Sequence, residues 1–534
     1  MSQKSISFLD SKKYIFYIIP IFFLGLGIRL YYFPFDVPIV TDGFLSFVYA
    51  TKTVFEYALP IGYDPTNSGW SNFLSLIFFF FDKSDPLYLM EIQRISSIIF
   101  SCLTIIPGYF IFKKFTNTKI ALIGALILSV EPRLLLISLE GTNFSIFFFL
   151  FVLSIALFFK KQEFPIYLSF VCVSLLSLIR YEGVLLFIPL VIIFFKNSRK
   201  KELVLKIFII SLIITSIIIP VSLLRMDATK ENCYQIFDIE ICGKDGILNS
   251  FSDRSGSIND KIQGIPDLDD EVYYENERMM EKFVFYSITN FFMFFGFVLI
   301  PILIFFILLT IISLKQNNFI KKKHDLIILF VLTFVMIIPS FYAYGRDILE
   351  IRYVLVTIPL IISFSTFGIE YFSNIGKNKK ILAICILIVI ILSLMFIEYE
   401  KRDSQHDFES FRVSQEIIKL TDRTNVFSQD GYIKTAILIS EWPDIPNAGD
   451  NGKPMHDFIK IPTNEYDKFE NFLLDSKNFD LKYIVVEDRS KIFEDINQDE
   501  TKYENLEKIF DSKDLNFDNR FKIYKNNFEI MDDI

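Results

Sequence analysis

Residues 33–47, FPFDVPIVTDGFLSF, follow directly on an apolar run that begins near Tyr14. The chain leaves that run and at once presents Asp36 and then Asp42, the latter beside Gly43. A lipid-bathed helix has no use for a carboxylate there, and burying an ionised one is costly. Which side of a membrane Asp42 faces, and which other charges face the same way, decides how the chain is read.

The run is not isolated. Of 534 residues, 52% are hydrophobic and 62 are phenylalanine, and the mean hydropathy is +0.41. Apolar stretches of about 18 residues or more recur, each long enough to cross about 30 Å of hydrocarbon. This predicts an α-helical polytopic membrane protein. The first run is too long for the apolar region of a signal peptide and lacks a small-residue cleavage site, so it is expected to be the first span. Eleven transmembrane helices are predicted, at about 13–33, 92–112, 119–138, 142–159, 164–180, 183–196, 204–224, 284–314, 325–344, 352–374 and 380–398.

The basic residues orient them. Lys12 and Lys13 precede the first helix; Lys113, Lys114 and Lys119 fill the second gap, and Lys160 and Lys161 the fourth. Lys196, Arg199, Lys200 and Lys201 follow the sixth helix, Lys315 and Lys321 to Lys323 the eighth, and Lys377, Lys379 and Lys380 the tenth. Every second gap is lysine-rich, as cytoplasmic loops are. A multi-pass plasma-membrane protein is expected, with a cytoplasmic N-terminus and an extracytoplasmic C-terminal segment. Asp42 then lies outside.

Four regions follow. Residues 1–398 form the transmembrane domain, and 34–91 the first outer loop. That loop holds two helix-compatible stretches, 42–58 and 69–82, expected to lie along the outer surface with Trp70 as an interfacial anchor. Residues 225–283 form a large acidic outer loop. Cys233 and Cys242 within it are candidates for a disulfide on an oxidising face. Residues 399–534 alternate helical and strand patterns and predict a soluble α/β domain.

The outer helix ends carry charges of a different kind from the inner lysines. Asp42 follows the first helix, Glu131, Arg133 and Glu140 surround the third, and Arg180 and Glu182 lie between the fifth and sixth. Arg346, Asp347, Glu350, Arg352 and the neighbouring Tyr353 stand between the ninth and tenth. Each single charge could simply snorkel to the headgroups. As a set, arginines mixed with carboxylates suit a shared wet cavity. An arginine fork recognises phosphate bidentately, where lysine acts as a point charge. Asp42 could take a proton from an attacking hydroxyl or hold a divalent metal such as Mg or Mn. The three histidines, His324, His406 and His456, are scattered. There is no phosphate-binding loop of the ATPase type, which argues against an ATP-driven pump and a nucleotide-sugar enzyme. No nucleic-acid partner is expected.

The motifs TDG at 41–43, EPR at 131–133, RYEG at 180–183 and EIRYVLVTIPL at 350–360, in this order, resemble those of the GT-C membrane glycosyltransferases. The likeness is greatest to the protein-O-mannosyltransferase and aminoarabinose-transferase branch, in particular to archaeal members with an outer α/β tail. It covers residues 1–398. The resemblance implies transfer of a sugar from a polyprenyl-phosphate donor to a protein, lipid or glycan acceptor at the outer face. Asp42 would be the base and Arg352 would face the lipid phosphate. Arg133 and Arg180 would be further phosphate-binding residues, and Glu131, Glu182, Arg346, Glu350 and Tyr353 would line the same cavity. Gly43 departs from the pattern, which has an acidic residue there. The WWDYG motif of oligosaccharyltransferases is absent, which disfavours en-bloc N-glycosylation. The rival reading is a transporter or flippase of lipid-linked sugars, but such proteins place their site near the bilayer midplane and usually show repeats.

Overall fold

The apolar run before Pro34 is helix α1, Phe8–Tyr31. Helices α2, Thr41–Glu56, and α3, Gly69–Phe78, occupy the two stretches predicted for the first outer loop. The computed structural model describes residues 8–400, except 36, 58, 60–67, 161, 197–201, 230–232, 237–238, 243–271, 301, 314–316, 346–347 and 376–378. It also describes residues 404–527, except 422–425, 429–430, 441, 443–467, 477–480, 489–490, 516 and 518–519. The chain divides into two compact units. Met1–Phe33, Pro65–Phe73 and Arg94–Glu400 make the first; Pro34–Asp64, Leu74–Gln93 and Lys401–Ile534 make the second.

The first unit is helical. Helices α4 (Pro86–Leu103) and α5 (Ile105–Phe115) run on as one apolar segment of 30 residues. Helices α6 (Thr118–Ser129) and α7 (Pro132–Leu139) meet at a 45° bend. The bend falls where Pro132 supplies no N–H and the Glu131 carboxylate caps α7 instead, accepting from the Leu134 N–H at 2.7 Å. Then come α8 (Phe144–Phe158), α9 (Glu163–Ile179), α10 (Phe187–Lys196) and α11 (Leu203–Thr229). Strands β1 (Cys233–Ile236) and β2 (Ile239–Cys242) form a hairpin. Helices α12 (Val272–Leu299), α13 (Leu303–Ser313), α14 (Asn317–Gly345), α15 (Ile358–Ile375) and α16 (Lys379–Glu400) complete the unit.

Among the described residues five helices are long and apolar enough to cross a membrane, or six if the bent α6–α7 pair is one span. The protein is thus a multi-span membrane protein. The eleven predicted spans are matched in part. Where 142–159 and 164–180 were expected to cross, α8 and α9 are apolar but have 15 and 17 residues, short of the roughly 20 that a straight crossing needs. Trp70 is not at an interface but fully buried, its indole N–H donating to the Gly141 carbonyl at 3.2 Å. Gly141 holds a φ of 70°, a left-handed conformation that glycine adopts without steric cost.

In the second unit the tail forms helices α17 (Ser404–Leu420), α18 (Gly431–Ile439), α19 (Phe469–Ser476) and α20 (Glu494–Gln498). Strands β3 (Val426–Phe427), β4 (Tyr483–Glu487), β5 (Leu506–Asp511) and β6 (Phe521–Asn526) pair in the order β3-β4-β6-β5. The β3–β4 pair is parallel and the other two are antiparallel. Side chains alternate across the sheet. Ile484, Val486 and Tyr524 join Phe469, Phe472 and Phe493 on one face, whereas Val485, Phe521 and Ile523 join Val413, Ile417 and Ile437 on the other. The sheet is buried on both faces, which is why strands this short persist.

One ion pair in the tail fixes a pH dependence. Arg520 grips Asp511 through Nη2–Oδ2 at 2.6 Å and Nε–Oδ1 at 3.1 Å. The Arg520 hydrogen bonds hold the Asp511 carboxyl well below the usual carboxylate range. A carboxyl that ionises more readily folded than unfolded stabilises the fold above its unfolded pKa, about 4, and loses that contribution as pH falls towards the folded value. Asp511→Asn should therefore lower the tail's urea midpoint at pH 7, and the difference from wild type should shrink below about pH 4.

Candidate functional site

The RYEG stretch turns the chain sharply. Helix α9 ends at Ile179, Arg180 is extended, and residues Tyr181–Leu186 form a 3-10 turn. The Gly183 N–H donates to the Arg180 carbonyl at 3.0 Å. A Cβ at Gly183 would lie 2.9 Å from the Leu176 carbonyl carbon and the Ser177 nitrogen, so the turn closes on the helix only with glycine there. Gly183→Ala should cost about 1–3 kcal/mol through overpacking, read as a lower unfolding temperature in detergent.

That turn aims two buried side chains at each other. Arg180 donates to Glu182 through Nη2–Oε1 at 2.6 Å and Nε–Oε2 at 3.3 Å. The Arg180 guanidinium also lies 5.4 Å from the Phe147 ring and 5.4 Å from the Tyr353 ring. Tyr353 is shared, since the Arg352 guanidinium is 5.8 Å from the same ring. Arg352 is in turn paired with Glu350. The Tyr344 hydroxyl donates to the Glu350 carbonyl at 2.9 Å, and its ring stacks on Phe294 at 5.1 Å. Five predicted residues therefore converge: Arg180, Glu182, Glu350, Arg352 and Tyr353. Two guanidinium groups share one aromatic ring, each with its own carboxylate. The pairs differ in access: Glu182 is 6% exposed at its side chain, whereas Glu350 is 41% exposed. Arg346 lies outside the described residues.

Glu131 and Arg133 have other partners. Glu131 caps α7, and Arg133 donates to the Ile300 carbonyl at 2.6 Å with its guanidinium 4.6 Å from the Phe396 ring. Sequence reasoning missed three residues here. Phe147 and Tyr344 carry no signal, being aromatic residues in aromatic-rich helices. Arg29 carries one: it is a lone arginine inside the first apolar run. It is buried and donates to the Gly25 and Ser129 carbonyls at 3.0 Å each and to Ser101 and Ser138 hydroxyls at 2.9 and 3.2 Å.

Asp42 stands in the first turn of α2, where the helix dipole favours a carboxylate. Its side chain is exposed, and the Ser46 hydroxyl donates to its backbone carbonyl at 3.2 Å. Gly43 is buried, and its carbonyl accepts from the Gln93 amide at 2.8 Å. Where an acidic side chain was the expected pattern, this position supplies a backbone acceptor to a buried glutamine. Among the described residues no three His, Cys, Asp or Glu side chains converge as metal ligands. In the hairpin, Cys233 is directly opposite Cys242.

Residues 90–224 match the family described as dolichyl-phosphate-mannose-protein mannosyltransferase. No curated protein matches the chain by sequence. Among solved structures, the archaeal oligosaccharyltransferase AglB from Archaeoglobus fulgidus, in complex with an inhibitory peptide and a dolichol-phosphate, superposes with a TM-score of 0.51 at 12% identity. The match covers 90% of this chain and 70% of that one. ArnT from Cupriavidus metallidurans bound to undecaprenyl phosphate aligns over 97% of this chain and 98% of its own, at 10% identity and a TM-score of 0.40. AglB shares the fold. Residues 90–224 are thus similar to the dolichyl-phosphate-mannose-protein mannosyltransferase family.

Proposed function

We propose that this protein moves a sugar from a polyprenyl (dolichyl)-phosphate donor to a protein, lipid or glycan acceptor at the outer membrane face. The observation that carries the reading is the cluster of Arg180, Glu182, Glu350, Arg352 and Tyr353 in a chain whose residues 90–224 match this family. Its two ion pairs suit different tasks. Arg180 and Glu182 are buried, and the Arg180 guanidinium lies over the Tyr353 ring. Arg352 is paired with the half-exposed Glu350, so an incoming phosphate can compete with that carboxylate for the guanidinium fork.

Each group then has a role. Arg352 binds the lipid phosphate, with Arg180 and Arg133 adding positive charge around it. Asp42 is the base. The acceptor oxygen attacks the anomeric carbon, its proton passes to the Asp42 carboxylate, and the bond to the phosphate oxygen breaks with both electrons leaving on the phosphate. The arginines stabilise the charge that appears there. Displacement of this kind inverts the anomeric configuration. The sugar phosphate is already activated, so the reading needs no ATP.

The topology belongs to the same reading: cytoplasmic N-terminus, outer loops at 34–91 and 225–283, and the domain 399–534 outside the cell. Directly opposed residues of an antiparallel pair have Cα atoms about 4.5–5.5 Å apart, within the range a disulfide spans. Cys233 and Cys242, so opposed, are expected to resist alkylation until reduced. Free thiols in intact cells would count against an outer loop.

The reaction is tested in lipid nanodiscs and proteoliposomes with polyprenyl-phosphate mannose. Release of free polyprenyl phosphate with mannose on an acceptor is the expected result. Donor that crosses the bilayer intact, without release, would replace the transferase by a flippase.

A further inference from the structure

Arg29, in the last turn of α1, holds the break between α6 and α7. A break in an apolar helix frees backbone groups that lipid cannot satisfy, and here side chains take them. The Leu134 N–H goes to the Glu131 carboxylate. The Val130 carbonyl accepts from the Ser393 hydroxyl of α16. The carbonyl of Ser129, the last residue of α6, accepts from Arg29 Nη1 at 3.0 Å. The same guanidinium donates through Nε to the hydroxyl of Ser138, in the last turn of α7, at 3.2 Å. Its Nη2 donates to Ser101 of α4 at 2.9 Å. One planar group therefore touches both arms of the 45° bend.

A buried guanidinium is a costly way to fill that space, and a well-packed apolar side chain of similar volume is often as good or better for stability. Its four acceptors are two carbonyls and two hydroxyls, all neutral. What arginine adds is a rigid fork of donors that fixes the directions of several groups at once. The bend sets the direction of Arg133, the second residue of α7. The Arg133 guanidinium reaches the Ile300 carbonyl at 2.6 Å and lies 4.6 Å from the ring of Phe396, three residues beyond Ser393 on α16. A misplacement of about 1 Å near the reacting atoms can cost about a hundredfold in rate. We propose that Arg29 is a positioning residue for Arg133, acting through the α6–α7 break. This rests on the assignment of Arg133 to the charge around the donor phosphate. It gives the first helix a part in donor binding that needs no contact with the donor.

The experiment reads hydrogen–deuterium exchange, binding of polyprenyl phosphate and turnover of polyprenyl-phosphate mannose on the full chain in nanodiscs. Arg29→Met keeps an unbranched side chain without the fork. It should speed exchange at 133–139 about tenfold while α8 stays protected, and weaken polyprenyl phosphate binding about tenfold. Arg29→Lys should recover only part of this, because an ammonium acts as a point charge. Ser138→Ala leaves the guanidinium and its other three acceptors in place and removes only the α7 arm. It should act in the same direction, about threefold. Unchanged exchange and binding in both Arg29→Met and Ser138→Ala overturn the proposal. If Arg29→Met fails to fold, Ser138→Ala alone decides.

A double-mutant cycle separates positioning from bulk stability. On an Arg133→Ala background, Arg29→Met should weaken binding and lower kcat/KM no further, since the group it orients is gone. Additive losses on that background make Arg29 a purely structural residue and overturn the positioning role. Wild-type binding and turnover in Arg133→Ala also overturn it, while the transfer reaction itself stands. A wild-type protein that binds polyprenyl phosphate yet releases none from the mannosyl donor fails the transferase reading, and the binding cycle still judges Arg29.

Discussion

Asp42→Asn should lower kcat for sugar transfer about 10²–10⁴-fold, the span attributed to a positioned general base. Asparagine keeps the shape and the hydrogen-bonding reach but cannot take the acceptor's proton. The substitution sits in the first turn of α2, where the side chain is exposed. The fold should therefore survive it, and binding of polyprenyl phosphate should be unchanged. Asp42→Glu is the companion variant: the base is retained but displaced by one methylene, and partial activity is the expected result. Wild-type kcat in Asp42→Asn refutes the role.

Arg352→Ala should lower kcat/KM about 10²–10³-fold, comparable to losing one preorganised group that stabilises charge in a transition state. Unlike Asp42→Asn, it should also weaken binding of free polyprenyl phosphate, because the guanidinium meets that group in both ground and transition state. Arg352→Lys should recover little, since an ammonium cannot present two parallel N–H donors. Glu350→Gln removes the competitor for that fork and should tighten polyprenyl phosphate binding. Unaltered binding in Arg352→Ala would move the phosphate to another arginine, with Arg133 the next to test.

Much of this was legible in the sequence because membranes impose strong patterns. Apolar length, alternating lysine-rich gaps and arginine–carboxylate pairs at particular helix ends marked α1, the helices at 86–115 and 324–345, and the residues of the RYEG and EIRY stretches. Placement in three dimensions was another matter. Glu131 and Arg133 read like Arg180 and Glu182, a carboxylate and an arginine two residues apart. Yet Pro132 lies between them and starts a helix, so Glu131 becomes a cap and Arg133 turns to the Ile300 carbonyl, just past the end of α12. Trp70 read as an interfacial anchor because hydropathy cannot distinguish a ring facing lipid from one facing protein. The stacking of the Trp442 ring on Phe47 joins residues nearly 400 positions apart in sequence, and no local pattern encodes such a contact.

Arg29 sets an order of assembly. Its four acceptors come from its own helix and from residues 72, 100 and 109 positions further along. Helix α1 is made before those segments, and its guanidinium has no complete set of partners until Ser138 has been synthesised. Until then the charge must be accommodated by water or headgroups, since leaving it bare in hydrocarbon costs several kcal/mol. Helix α1 therefore settles only after the three segments that enclose it have been made.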